Sequence, residues 1–575
     1  MPPLERVLID YDLGLLRVIA GQWGLELAVA NQREASAQLA RNLLDPARVA
    51  ETVRALPAEA RAALEAVRAG GGRVPRAAFT RAYGEVRAMG PARREREQPW
   101  RNAPSPAEQL WYRALTAHGF FEGPGGVQEF TFIPEDLLKL LPPPAAAAPP
   151  AARSPAPGAP APAPDHFRPA GHDLADDLCT LLAYAQIVPL KLEGGTLTTR
   201  QPAAVRRFLH APEALDLCFQ LSLQLKLLVG APLKPDPAAT RSFLELTRLA
   251  QTESLAEAWR NSHDWNDLRR LPGLLFEGQA WRNDPVQARE AILKLLADVP
   301  PGAWWSLDAF VAAVKERAPD FQRPAGDYDS WYIRDAETQA YLRGFEHWDE
   351  VDGALVRWFV RGPLAWLGLV EVSLPGPPAP RKKSLGLAPR GGEKVETVFR
   401  ITPAGSAYLG RGAWTAAAGP GAPTRVHIGL DGVIRVPAAI TPYHRFRVAR
   451  VTKWLGLEGA VYTYRLTPAS LRRAAKQGVE LGRIIDFLRE VADEHGLPPT
   501  LLGALQRWAR SGAEAALEDL TVLRLKSPEL LDTLRRTPKL KDYLGRPLGP
   551  AAVEVRRDAV ERLRAALAEV GILSD

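Results

Sequence analysis

Cysteine is nearly absent from this chain. Its 575 residues contain two, Cys179 and Cys218, too few for a disulfide framework or a four-thiolate zinc site. Both fall within apolar helical patterns, where a thiol is expected to serve as a small buried hydrophobe. Long apolar runs are absent too. No stretch of roughly 18 apolar residues occurs, so no membrane-spanning helix is predicted. Residues 1–10 carry acids where a signal peptide would have its apolar centre. The expected location is cytoplasmic.

The usual signatures of catalysis are also missing. There is no Gly-x-x-x-x-Gly-Lys-Ser/Thr loop to cradle a triphosphate, no Gly-x-Ser-x-Gly elbow and no His-Glu-x-x-His helix. The nine histidines are scattered. His263, near Asp264 and Asp267, comes closest to a metal cluster, but Trp265 between the carboxylates suits a helix-capping loop better. Carboxylates also gather at Asp327, Asp329 and Asp335, and at Asp349, Glu350 and Asp352. A metal-dependent nuclease would need such groups to converge, whereas solvated loops need nothing further. The expectation is a protein that is not an enzyme and has no cofactor and no metal site.

What the chain does have is length, proline and a localised positive charge. Its length implies several domains. Residues 1–141 read as helices followed by a winged-helix-like order. A helix from Pro57 stops at the glycines of 70–72, a second starts at Pro75, and a third opens at Ser105-Pro106. A turn at 123–126 then separates two short strands. Residues 142–165 are almost all Pro and Ala, a semi-rigid linker that could span up to about 70 Å. Residues 166–282 form a helical middle domain with a hairpin around Gly194-Gly195. Its later helices are expected at 237–251 and 253–270. Residues 283–409 read as a second winged-helix-like domain with a long wing between strands at 369–373 and 397–401. Its neighbourhood is dense in tryptophan (Trp281, Trp304, Trp305, Trp331, Trp348, Trp358, Trp366), expected to fill a core more than to stack on bases. Residues 410–424 form another linker, and residues 425–575 the last domain. Within it, strands are expected at 426–436 and 461–466, and helices at 441–456, from Thr467-Pro468 to Gly478, at 480–495 and at 498–511. The fold class is mainly α with small β-hairpins (α+β).

Charge is unevenly placed. The chain has 73 basic and 66 acidic residues, a net of +7. Residues 425–483 alone hold 11 basic and 3 acidic side chains, a net of +8. A concentrated field of this kind suits a polyanion. The candidate phosphate-contacting residues are Arg445, Arg447, Arg450 and Lys453 on one predicted helix, and Arg472, Arg473 and Lys476 on the next. Leu471, Ala475 and Val479 are expected to line that second helix's inner side. Contacts of this type position a protein on DNA without reading its sequence.

One stretch carries a resemblance. Tyr462-Thr463-Tyr464-Arg465-Leu466-Thr467-Pro468-Ala469-Ser470-Leu471, continuing through Ala474 and Gly478 to Ile484-Ile485-Asp486-Phe487-Leu488, resembles the N-terminal domain of XPB-type DNA-repair helicases. The likeness covers roughly residues 424–525. Residues 87–100 and 259–285 resemble bacterial proteins known only as helicase-associated. The resemblance implies a C-terminal α/β domain like that of XPB, and DNA repair or remodelling as the setting. The chain departs from that family in lacking the ATP-driven motor, so a helicase partner would be a separate polypeptide. The leading expectation is a non-enzymatic DNA-binding or helicase-associated protein of the nucleoid. The alternatives are a protein-interaction adaptor built on winged helices and a cryptic nuclease.

Overall fold

In the computed structural model, the residues described are 1–29, 31–123, 126–143, 156–193, 196–197, 200–278, 283–323, 326–374, 396–414, 424–511 and 520–572. The fold is mainly helical with small antiparallel sheets, as expected. Among the described residues, no helix is long and apolar enough to cross a membrane. The chain divides into two compact units. The first comprises residues 1–426 and 435–465, and the second residues 427–434 and 466–575.

One arrangement recurs. A helix leads into a short strand, two helices follow, and two strands close the module so that the last strand lies between the first and the second. Among the described residues it occurs four times. The first module runs from helix Ala58–Ala69 through strand Arg73–Pro75 and helices Arg76–Tyr83 and Pro106–Trp111, with the short helix Pro91–Glu97 inserted between them, to strands Ala117–Gly123 and Gly126–Phe132. Phe130 and Phe132 pair with Pro75 and Arg73 on one edge and with Gly119 and Ala117 on the other. The second is the most reduced. Helix Asp173–Ile187 is followed by a single bridging residue, Leu190, which pairs with Leu233. Helices Arg200–Arg206 and Leu215–Gln224 then lead to strands Leu228–Val229 and Lys234–Pro235.

The third module has helix Pro285–Leu296, strand Trp304–Ser306 and helix Leu307–Arg317. Helix Trp348–Phe359 and strands Val370–Ser373 and Val398–Ile401 complete it. The fourth lies in the second unit. It has helix Pro499–Ser511, strand Thr521–Arg524, helices Pro528–Arg536 and Pro538–Lys541, and strands Leu544–Gly549 and Ala552–Val555.

The helix starts follow from local chemistry. Ser105, Asp284, Ser306 and Ser527 each accept a hydrogen bond from a backbone N–H of the first turn. Three of these four are followed by proline, which suits the first helical position because its missing N–H has no partner there in any case.

Several expectations are corrected. The linker at 142–165 is only in part a spacer. Its residues 144–155 lie outside the described ones, but 156–165 pack on the third module. Trp305 Nε1 donates to Pro157 O at 2.7 Å, Ser306 N to Ala159 O at 3.0 Å, and Ala161 N to Trp304 O at 2.9 Å. Gly158, at φ +88°, passes so close to Phe310 that a Cβ there would sit 2.8 Å from its backbone N. Phe167–Arg168 then pairs with Val372–Ser373, so the middle domain's first residues join the third module's sheet. The helix expected at 441–456 stops at Val451. From Lys453 the chain turns into a strand paired with Val461–Arg465, because Trp454 and Leu457 lie opposite Tyr464 and Tyr462. The helices expected at 237–251 and 253–270 are Pro237–Glu245 and Arg248–Arg260. Most of the long wing, 375–395, lies outside the described residues, as does Trp281.

The boundary expected at residue 425 also falls differently, since 435–465 packs with the first unit. Helix Pro442–Val451 lies against helix Asp173–Ile187. Cys179 Sγ donates to Pro442 O at 3.4 Å and Gln186 Nε2 to Phe446 O at 3.4 Å.

Candidate nucleic-acid interface

The seven basic candidates fall into different units. Arg445, Arg447, Arg450 and Lys453 belong to the first, and Arg472, Arg473 and Lys476 to the second.

Arg445 is not available to a polyanion. It is 1% exposed. Its Nη1 donates to Thr180 Oγ1 at 2.7 Å, and its Nη2 donates to the Asp176 carbonyl and lies 3.7 Å from that residue's carboxylate. Its guanidinium stacks 4.0 Å from the Tyr462 ring centroid. Arg248 engages the same Asp176 carboxylate at 3.1 Å. A guanidinium desolvated this far needs a carboxylate partner, and the sequence supplies one 269 residues away. Beside it, burial pushes the Asp177 carboxyl up to about 7, against the pull of two backbone N–H donors, from His210 and Ala211. Arg447 and Arg450 are half-buried, and burial lowers the Arg450 pKa. Of these four cations, Lys453 alone is fully exposed.

Helix Pro468–Lys476 is better placed. Thr467 and Ser470 form a reciprocal cap, each side chain accepting from the other's backbone N–H at 3.1 Å. Ser470, Leu471 and Ala474 face inward, while Ala475, expected inside, is exposed. Arg472 and Lys476 are exposed one turn apart, and Arg473 is half-buried.

Four further cations were missed: Arg535, Arg536, Lys539 and Lys541, all exposed in the fourth module. The signal was present as an Arg-Arg pair and a Lys-x-Lys, but it lay outside the most basic window.

Other basic or chemical clusters are occupied. In the arginine-rich stretch 87–101, Arg87 makes paired bonds to the buried Glu108 carboxylate at 2.7 and 2.8 Å. Arg94 meets Asp12, and Arg93 and Arg96 meet Glu97. Around 259–289, Trp259 and Trp265 donate to Asp267 Oδ1 at 3.2 and 2.8 Å. Arg289 donates to Asp267 Oδ2 at 2.8 Å and to the carbonyls of Ser262 and Trp265. His263 lies apart from this knot and is exposed, 3.9 Å from Asp284.

The carboxylate patches do not converge. Asp327 and Asp335 cap their own turns, Asp349 pairs with Lys315, and Asp352 is buried against Gln322 and Arg323. Among the described residues, no three His, Cys, Asp or Glu side chains are grouped to hold a metal. Both cysteines are buried and unbridged. Trp305, Trp331, Trp348 and Trp366 are buried core. Trp304 and Trp358 are half-buried, and Trp358 lines an apolar cleft of about 420 Å³ with Trp366.

Residues 427–549 match a helicase conserved C-terminal domain. The match covers about a fifth of the chain and contains the Thr467-capped helix with Arg472 and Lys476. It also takes in the buried Arg445 and the Arg535–Lys541 cations. No curated protein matches the chain. The segment thus supports a helicase-associated C-terminal domain, with most of the remaining chain outside the match.

Proposed function

We propose that this chain is a non-catalytic, helicase-associated DNA-binding protein that works in DNA repair or remodelling beside a motor carried by another polypeptide. The observation that carries the reading is the coincidence of the helicase-type match with exposed cations inside it, Arg472 and Lys476. The lack of a triphosphate-binding loop fits a chain without its own motor. The four modules suit a winged-helix reading, because their strand order and the hairpin after the third helix are those of that motif.

The test is a titration of duplex and forked DNA against salt. The expected result is affinity that falls steeply with salt, with the slope reduced by about 2 when Arg472 and Lys476 are both reversed to Glu, at ~0.9 per phosphate contact. Absence of salt-dependent binding at low ionic strength refutes the reading.

A second reading, a protein-interaction adaptor, is favoured by one observation in the first unit. The third helices of its modules are largely packed inward, and their one basic residue, Arg357, is half-buried and paired with Asp308. Those modules suit scaffolding more than groove reading.

A further inference from the structure

We propose that the fourth module is the part of this chain that grips the phosphate backbone of a nucleic-acid duplex, through the turn joining its second and third helices. The proposal rests on the DNA-binding reading above and locates its site.

The four modules serve as controls for one another. Where a winged helix meets DNA, its third helix and the turn before it face the duplex. In the first module the third helix, Pro106–Trp111, exposes no residue, and Arg76 and Arg81 of the second helix are engaged by Glu129 and Asp320. In the second module the turn exposes Arg206 and Arg207, but Glu213 and Asp216 follow them at the surface. In the third, helix Trp348–Phe359 begins with exposed Asp349 and Glu350.

The fourth differs in sign. Residues 535–541 read Arg-Arg-Thr-Pro-Lys-Leu-Lys, four exposed cations against the two exposed acids that flank them, Asp532 and Asp542. The apolar residues between and around them point the other way. Leu534 and Leu540 close a small core with Val555, Leu563 and Leu567. The cations are therefore displayed by the packing of their neighbours.

Their existing engagements are weak. Lys539 pairs with Glu569 at 3.0 Å with both side chains mostly exposed, so solvent screens the bond. Arg535 donates to Gly545 O at a long 3.4 Å, tying the turn to the following hairpin. Among the described residues, Arg536 and Lys541 form no ion pair.

The third helix, Pro538–Lys541, is a single turn. It is too short to lie along a groove and read several base edges. The contact is therefore to phosphates, and binding is indifferent to sequence.

The experiment uses the full chain and fluorescence anisotropy of a labelled 20-base-pair duplex. Wild type is compared with Arg536→Glu/Lys541→Glu, with Arg472→Glu/Lys476→Glu, and with Arg317→Glu, a control at an exposed position in the third module. Loss of about tenfold in affinity at low salt, with the salt slope reduced by about 2, is expected for Arg536→Glu/Lys541→Glu. Arg317→Glu should stay within about twofold of wild type, and scrambled duplexes within about threefold.

Should the reversed variant unfold, Arg536→Gln/Lys541→Gln removes the same two contacts without adding acid and is expected to lower the slope by the same amount. Affinity and salt slope that stay at wild-type values in whichever of the two Arg536/Lys541 variants folds overturn this proposal and leave the DNA-binding reading intact. Wild type that shows no salt-dependent binding, or binds an acidic peptide in preference to duplex, overturns both. Marked preference for one duplex sequence overturns the backbone-only contact.

Discussion

Arg445 looks in sequence like one more member of a cationic helix, and its surroundings make the opposite prediction. Replacing Asp176 by Ala removes the one carboxylate that, among the described residues, lies within ion-pair distance of Arg445, which is 2% exposed at its side chain. Arg248 loses its carboxylate too, but its side chain is 16% exposed and still donates to the Ala438 and Ile440 carbonyls. The cost is that of a buried charge losing its partner, about 3–5 kcal/mol. Replacing Arg445 by Met is milder. Asp176 keeps Arg248 at 3.1 Å, the Met side chain fills part of the vacated space, and the loss is the hydrogen bonds to Thr180 Oγ1 and the Asp176 carbonyl and the contact with Tyr462. That is on the order of 1–3 kcal/mol. Asp176→Ala should therefore exceed Arg445→Met, and the double variant should cost less than the sum of the two, because it removes both charges together. A chain of several modules does not unfold in one step, so a single global stability is the wrong quantity. The assay is hydrogen exchange followed by mass spectrometry, read on peptides from helices Asp173–Ile187 and Pro442–Val451. Loss of protection should be confined to that helix pair and its neighbours, with duplex affinity changed by less than about threefold in Arg445→Met. Undiminished protection in Arg445→Met together with a tenfold loss of DNA binding would refute the reasoning and return Arg445 to the interface.

Three other perturbations test the remaining structure. Asp267→Ala leaves the fully buried Arg289 without its carboxylate and two indole N–H groups without an acceptor, so exchange protection across 259–296 should fall by the equivalent of about 3–5 kcal/mol; unchanged protection there would contradict the buried pair. His118 has its pKa lowered to about 4, first by burial and then by Arg76, so its folded form resists protonation. The stability it permits is present above the unfolded pKa near 6.5 and declines as pH falls toward 4. His118→Gln should flatten that decline in the first module's hairpin by about 2 kcal/mol, a figure reduced for the ring's partial exposure and read by exchange at matched pH. Gly158→Ala places a methyl against the Phe310 backbone at a positive φ, and should loosen the 304–310 region by about 1–3 kcal/mol in the same assay.

Much of the architecture was legible where local chemistry decides it. Ser105-Pro106 and Thr467-Pro468 announce helix starts, and the structure places helices there. The hairpins of the first and third modules were visible as Phe-rich or Val-rich strands around a turn. The second and fourth modules were not recognised as the same arrangement, for physical reasons. In the second, the first strand has shrunk to Leu190, and the hairpin expected in this region, whose strands Leu192–Glu193 and Thr196–Leu197 do pair, stands beside the module's own strands. In the fourth, strand Leu544–Gly549 contains two glycines and a proline, a composition with little strand preference, yet it pairs with Ala552–Val555. The strand after Val451 was read as helix because a basic run with interspersed apolar residues continues the helical spacing. The pairing of Trp454 with Tyr464 across the turn overrides it.

The basic face was legible as a region and misread as a set of residues. A count over 425–483 treats every arginine alike, but a polyanion feels only the charges that reach solvent without a carboxylate beside them. Arg445 contributes to the count and not to the surface field, since Asp176 neutralises it from a different part of the sequence. Arg447 and Arg450 are half-buried and reach solvent only in part. The shorter run 535–541 holds fewer charges in total, yet it places four cations at the surface because Leu534 and Leu540 are buried between them. The quantity that ranks candidate interfaces is therefore exposed cations minus exposed acids on one module. On that measure, among the described residues, the last module ranks above the segment with the greatest formal charge. The apolar spacing of Leu531, Leu534 and Leu540 was the available signal, because a helix buried on those positions must turn Arg535, Arg536, Lys539 and Lys541 outward.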